Sequence, residues 1–195
     1  MTAHLNKTIS LLLLLLFSGL LPAWDIEKAN REIDMWKVRD ARKGNHVIHI
    51  TTRIKCNAEK AYRLFTNEQY LTWLAPEANV EPMVGGKYEF FFSPEEKTTD
   101  CTLGCRITAA EPGRFIAFDW AGPSRYEELM NRADPLTHVV VLFEQCDRKL
   151  MKCTDVHLIH SGWGNTDEWN QAREWFERRW KSAFEELQTQ AELIE

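Results

Sequence analysis

Near the end of the chain, apolar residues recur at helical spacing. At about 100° per residue, Trp169, Ala172, Phe176, Trp180, Ala183 and Leu187 share one face, while Arg178, Arg179, Glu185 and Gln188 lie well away from it. The pattern predicts one long helix from Asn165 to about Leu187. Asn165 is the expected cap, Glu168 stands at the capping-box position, and Asp167 and Glu168 complement the positive end of the helix dipole. Upstream the period changes to two. His46 to Ile54 is rich in β-branched residues, and Lys87 to Phe92 alternates Tyr88, Phe90 and Phe92 with Glu89 and Phe91. Cys101 to Ala109 places Cys101, Leu103, Cys105, Ile107 and Ala109 on one face, and Arg114 to Trp120 places Ile116, Phe118 and Trp120 on one face. Thr137 to Glu144 and Leu150 to His160 read as a hairpin about Asp147-Arg148. Two short helices, from Asn57 through Phe65 and from Glu68 to Leu74, follow the first strand. Ser93 to Thr99 and Ala121 to Pro135 read as loops. A bulky aromatic stripe must be buried by a partner, so the predicted class is α+β: an antiparallel sheet closed around one long helix.

The chain ahead of that domain reads differently. Residues 1–24 carry Lys7 and then a run from Ile9 to Leu21 that is apolar except for Ser10, Ser18 and Gly19. That run is shorter than the roughly 20 residues of a spanning helix and close to a signal-peptide core. Ala23 suits the last position before cleavage, whereas Leu21 sits where a small residue is expected. Three readings stay open: a cleaved leader with a periplasmic or secreted product, an uncleaved anchor, and a cytoplasmic protein translated from near Met35. Membrane contact is expected only through this leader. Residues 25–45 form a charged tether in which Ile26, Ala29, Ile33 and Trp36 allow a short amphipathic helix, and residues 46–190 form the domain.

Composition narrows the function classes. A hydrophobic fraction of 44% with 27% charged residues is that of a globular domain, and a formal net charge of −5 without a Lys/Arg run argues against nucleic acid. Eight Trp and ten Phe suggest an aromatic-lined interior. Five cysteines without C-x-x-C spacing, an odd count, read as small buried hydrophobes rather than a disulfide framework or a zinc site.

Five short segments then stand out, in this order: Trp73-x-x-Pro76, Val84-Gly85-Gly86-Lys87-Tyr88-Glu89-Phe90-Phe91-Phe92, Glu111-Pro112-Gly113-Arg114, Phe118-Asp119-Trp120-Ala121-Gly122-Pro123 and His160-Ser161-Gly162-Trp163-Gly164. From His46 to Leu187 they resemble the START-like (SRPBCC) superfamily, in the branch named after the activator of the heat-shock chaperone ATPase. The resemblance implies a helix-grip fold of six or seven strands around the C-terminal helix, with a cavity between them.

His157 and His160 stand three apart, as do His46 and His49, but residues three apart on a strand face opposite sides, so neither pair shares a metal. His160 lies with Val156 and Leu158 on the inward face, either as a satisfied core histidine or as a ligand contact. Arg173 lies within the helix stripe, either paired with Glu177 at i+4 or pointing into the cavity toward an anionic group. The expected function is non-catalytic binding of a small hydrophobic, lipid- or polyketide-like molecule by Trp73, Tyr88, Phe90, Phe118, Trp120, His160, Trp163, Arg173 and Phe176, with no cofactor and no metal. A protein partner is the alternative. Enzyme signatures are thin: Gly85-Gly86-Lys87 lacks a P-loop's spacing, Ser161 sits in no G-x-S-x-G elbow, and only His160 with Tyr88 or Arg173 suggests acid–base work.

Overall fold

Alternation of apolar and polar residues builds the sheet. Along the sixth and seventh strands, Val139, Val141 and Phe143 and then Val156, Leu158 and His160 are buried, with half-exposed residues between them. The computed structural model describes residues 46–146 and 152–193. Within them lie β1 (Ile48–Ile54), α1 (Ala58–Thr66), a 3-10 turn (Glu68–Trp73), β2 (Glu77–Val80), β3 (Tyr88–Phe91), β4 (Ile107–Glu111) and β5 (Phe115–Trp120). Short helical turns at Ser124–Tyr126 and Glu127–Asn131 lead to β6 (Thr137–Gln145), β7 (Thr154–Ser161) and α2 (Asp167–Leu193). Five strands form one antiparallel sheet in the order β1-β7-β6-β5-β4, and β2 pairs with β3. Single bridges, Lys87 to Arg106 and Phe91 to Cys101, bring β3 alongside the segment that leads into β4.

The 27-residue α2 carries the buried stripe Ala172, Phe176, Trp180, Phe184, Leu187 and Ala191. Phe176 meets His160 of β7 and Trp180 meets Trp120 of β5, so the stripe is gripped by the inner face of the sheet. Phe184 meets Phe65 of α1 and Trp73, closing the core from the other side. This is the predicted helix-grip architecture.

Details depart from the sequence reading. The cap of α2 is Thr166, whose Oγ1 accepts the Trp169 N–H at 3.4 Å; the helix begins at Asp167, which leaves Asn165 one residue too early. The expected strand from Cys101 to Ala109 is not continuous. Gly104 takes φ +85°, a left-handed value open to glycine, and the Cys105 N–H closes a turn on the Thr102 carbonyl. Leu103 is therefore 56% exposed rather than inward. Strand β2 had no signature, and all four residues of β3 are buried, Glu89 included, whose carboxylate accepts from the Gly104 N–H at 2.9 Å and the Asn79 amide at 3.1 Å. The hairpin turn at Asp147-Arg148 and residues 1–45 lie outside the described residues. Within the described residues, no helix is long and apolar enough to cross a membrane. All five cysteines are free, and burial pushes the Cys105 thiol up to about 12.

Candidate functional site

Helix α1 ends with carbonyls that have no partner of their own. Asn57 caps its start, its Oδ1 accepting from the Lys60 N–H at 2.8 Å, and two aromatic side chains finish its end. Trp73 Nε1 donates to the Leu64 carbonyl at 2.9 Å and the Tyr88 hydroxyl donates to the Phe65 carbonyl at 2.8 Å. The polar ends of Trp73 and Tyr88 are thereby committed to the fold. Tyr88 is fully buried, which raises its hydroxyl pKa, with Tyr62 adding a smaller contribution.

A second buried relay ties the helix to three strands. Trp180 Nε1 donates to His160 Nδ1 at 3.1 Å, His160 Nε2 lies 2.9 Å from Thr137 Oγ1, and Thr137 donates to the Trp120 carbonyl at 2.7 Å. An indole only donates, so Nδ1 accepts and the proton sits on Nε2. Both imidazole nitrogens are occupied, and the ring is fully buried between Trp163 and Phe176. Burial, with the nearby charge of His138, holds its pKa well below the usual histidine range. Trp163 in turn donates to the His160 carbonyl at 3.0 Å.

Against this core lies a pocket of about 340 Å³ between α2, Trp73 and the ends of β3 and β5. Its walls are apolar: Trp73, Phe92, Trp120, Phe176, Trp180 and Ala183. Its volume sits at the lower end of the roughly 300–1,000 Å³ range of small-molecule sites. Trp120 is 3% exposed, and its indole N–H has no hydrogen-bond partner among the described residues. A buried donor left unmade costs about 1–3 kcal/mol.

The rim is charged. Arg125 and Arg179 both stack on Trp175, at 5.3 and 5.7 Å from its ring centre, and Tyr126 meets the same ring edge-on. Asp100, at φ 48°, accepts from the Ser124 N–H and Oγ at 2.7 and 2.8 Å. Those bonds, helped by Arg125, hold its carboxyl below the usual range. Glu186 completes the rim.

Of the expected site residues, Trp73, Trp120 and Phe176 line this pocket; Tyr88, Phe90, Phe118, His160, Trp163 and Arg173 do not. Tyr88, Phe90 and Phe118 form an aromatic stack that runs on into Trp120. Arg173 is half-buried with its Nε lacking a partner among the described residues, while Glu177 pairs with Lys181 at 2.7 Å. That bond, with the charges of Lys181, Arg173 and Arg178, depresses the Glu177 pKa. Neither His160 nor Tyr88 has a free polar atom for acid–base work in the pocket. Phe92, Arg125, Trp175, Arg179 and Trp180 are additions; Trp180 was legible on the stripe, whereas Arg125 lies in a loop without periodicity.

A family model described as Activator of Hsp90 ATPase homolog 1-like protein matches residues 55–192. No curated protein matches the chain. Protein MLL2253 from Mesorhizobium loti is 17% identical at a TM-score of 0.58, covering 76% of this chain and 98% of that one. PFC0360w, an Hsp90 activator from Plasmodium falciparum, is 21% identical at 0.53, covering 69% and 87%. Protein CV1439 from Chromobacterium violaceum is 17% identical at 0.53, covering 76% and 99%. At these identities the likeness is one of fold.

Proposed function

From a chain that belongs to the Activator of Hsp90 ATPase homolog 1-like family and carries an aromatic pocket between sheet and helix, we propose non-catalytic binding of a small, mainly hydrophobic molecule. The observation that carries the reading is the pocket itself: aromatic walls of Trp73, Phe92, Trp120, Phe176 and Trp180 under a rim that carries Arg125 and Arg179. A ligand with an apolar ring or chain fills the walls. Its polar end faces the rim, where Arg125 and Arg179 stand beside Trp175 while Asp100 is already engaged by Ser124. The leader reading adds that binding takes place outside the cytoplasm.

Native mass spectrometry of the gently purified full chain, followed by titration with dodecanoate, tests this. We expect a bound mass or saturable dodecanoate binding, at least fivefold weaker in Trp120→Phe, which removes part of the aromatic wall. No bound mass together with no saturable binding overturns the reading.

The family description and one surface feature favour a second reading, a module that docks on a chaperone ATPase. Met83 and Val84, in the turn between β2 and β3, are 64% and 62% exposed. Stimulation of a chaperone's ATPase by the full chain, lost on changing Met83 and Val84 to Ser, is its signature.

A further inference from the structure

The outer face of the sheet carries a cluster that the pocket does not use. In the β1–β7 ladder Thr51 is the direct partner of His157, and His49 stands diagonally from it, opposite Ile159. All three project away from the core, since Ile48, Ile50, Val156 and Leu158 fill the inner positions of the same strands. His49 Nε2 lies 3.4 Å from His157 Nδ1. Thr51 Oγ1 lies 3.4 Å from that Nε2 and 3.1 Å from that Nδ1. Three heteroatoms thus form a nearly equilateral triangle on two neighbouring strands.

Its edge length is informative. An N–H···N hydrogen bond between two imidazoles is expected at about 3.0 Å. Two nitrogens that each sit about 2.0–2.1 Å from one tetrahedral ion lie about 3.3–3.4 Å apart. The rings stack, with centroids 5.6 Å apart and planes 28° from parallel, so their edges are presented side by side. On its far side, His157 Nε2 faces Glu144 Oε2 at 3.7 Å. A carboxylate there favours the proton on Nε2, so that Nδ1 carries the lone pair, which accepts from the Thr51 hydroxyl in the absence of an ion. Competing charges are occupied: Arg53 is held by Asp155 through two bonds of 2.7 Å, and His138 by Thr108 at 2.7 Å. No three His, Cys, Asp or Glu side chains converge on one point among the described residues, so solvent would complete the shell.

We propose that His49 and His157 form a cross-strand site for a divalent transition-metal ion that favours imidazole, namely Zn²⁺ or its neighbours Ni²⁺ and Cu²⁺. Thr51 is the third, weaker ligand. The ion ties β1, an edge strand, to β7 and so couples metal to the stability of the sheet edge.

Isothermal titration of the full, reduced chain with Ni²⁺ tests the proposal. Ni²⁺ prefers imidazole over the thiols less ambiguously than Zn²⁺ does. We expect one ion per chain in the wild type and in His138→Gln, and at least tenfold weaker binding in both His49→Gln and His157→Gln. Because a variant could perturb the edge strand, NMR of the histidine side chains in the wild type is the second measurement. Paramagnetic Ni²⁺ should broaden His49 and His157 before any other histidine. The proposal is overturned if millimolar Ni²⁺ gives no saturable binding, if neither glutamine variant weakens it, or if broadening begins elsewhere.

Discussion

At the scale of single residues, the informative positions are polar atoms inside an apolar core. His160 was legible as inward from its place beside Val156 and Leu158. Its role was not, because the groups that occupy its nitrogens, Trp180 and Thr137, come from α2 and β6. Burial holds the ring neutral in the folded chain, so its folded pKa lies below the unfolded value of about 6.5. The unfolded state therefore binds the extra proton. The stability that this group contributes is complete above about pH 6.5 and is lost as the pH falls below it, at up to ~1.4 kcal/mol per pH unit, until the depressed folded value is reached. Urea denaturation between pH 7.5 and 5 should give a steeper acid loss for the wild type than for His160→Gln. Equal slopes would mean that the ring is not held neutral.

At the scale of elements, a helix is readable when its stripe is long, and its ends are less so. The period of 3.6 placed Phe176, Trp180 and Leu187 on the buried face of α2. Asn165 and Thr166 are both good caps, and local sequence does not choose between them; the helix starts at Asp167, which gives the cap position to Thr166. Thr166→Ala should cost roughly 0.5–1 kcal/mol in denaturant unfolding, given the long 3.4 Å bond, and Asn165→Ala close to nothing. The reverse order would return the cap to Asn165. Strand reading failed where a glycine intervened: the alternation through Cys101 and Cys105 is real in composition, but Gly104 turns the backbone between them.

At the scale of the whole molecule, the wrap of sheet around helix places the pocket where two apolar surfaces diverge. The sequence resemblance implied a cavity, and the chain's own aromatics suggested its walls; Trp73, Trp120 and Phe176 line the pocket, and the other expected aromatics pack into a continuous core beside it. Compartment is decided outside the described residues. Intact mass of the secreted or membrane-released protein should place the mature N-terminus just after Ala23 if the leader is cleaved. A full-length mass in the membrane fraction would make it an anchor, and a soluble product starting near Met35 would put the protein in the cytoplasm.

What the sequence determined by itself is the material of the fold: which positions are apolar, at which period, and hence the α+β class and the helix that the sheet must bury. Burial of a stripe is a property of neighbouring positions on one element, so it is written locally. The partners of polar atoms are properties of distant positions brought together. Only the tertiary structure spends the Trp73 and Tyr88 donors on the end of α1, buries the Trp120 N–H without a partner among the described residues, and sets His157 across from Thr51 and His49. His49 and His157 are 108 residues apart in the chain; strand register, fixed by the inner apolar face, brings them within 3.4 Å.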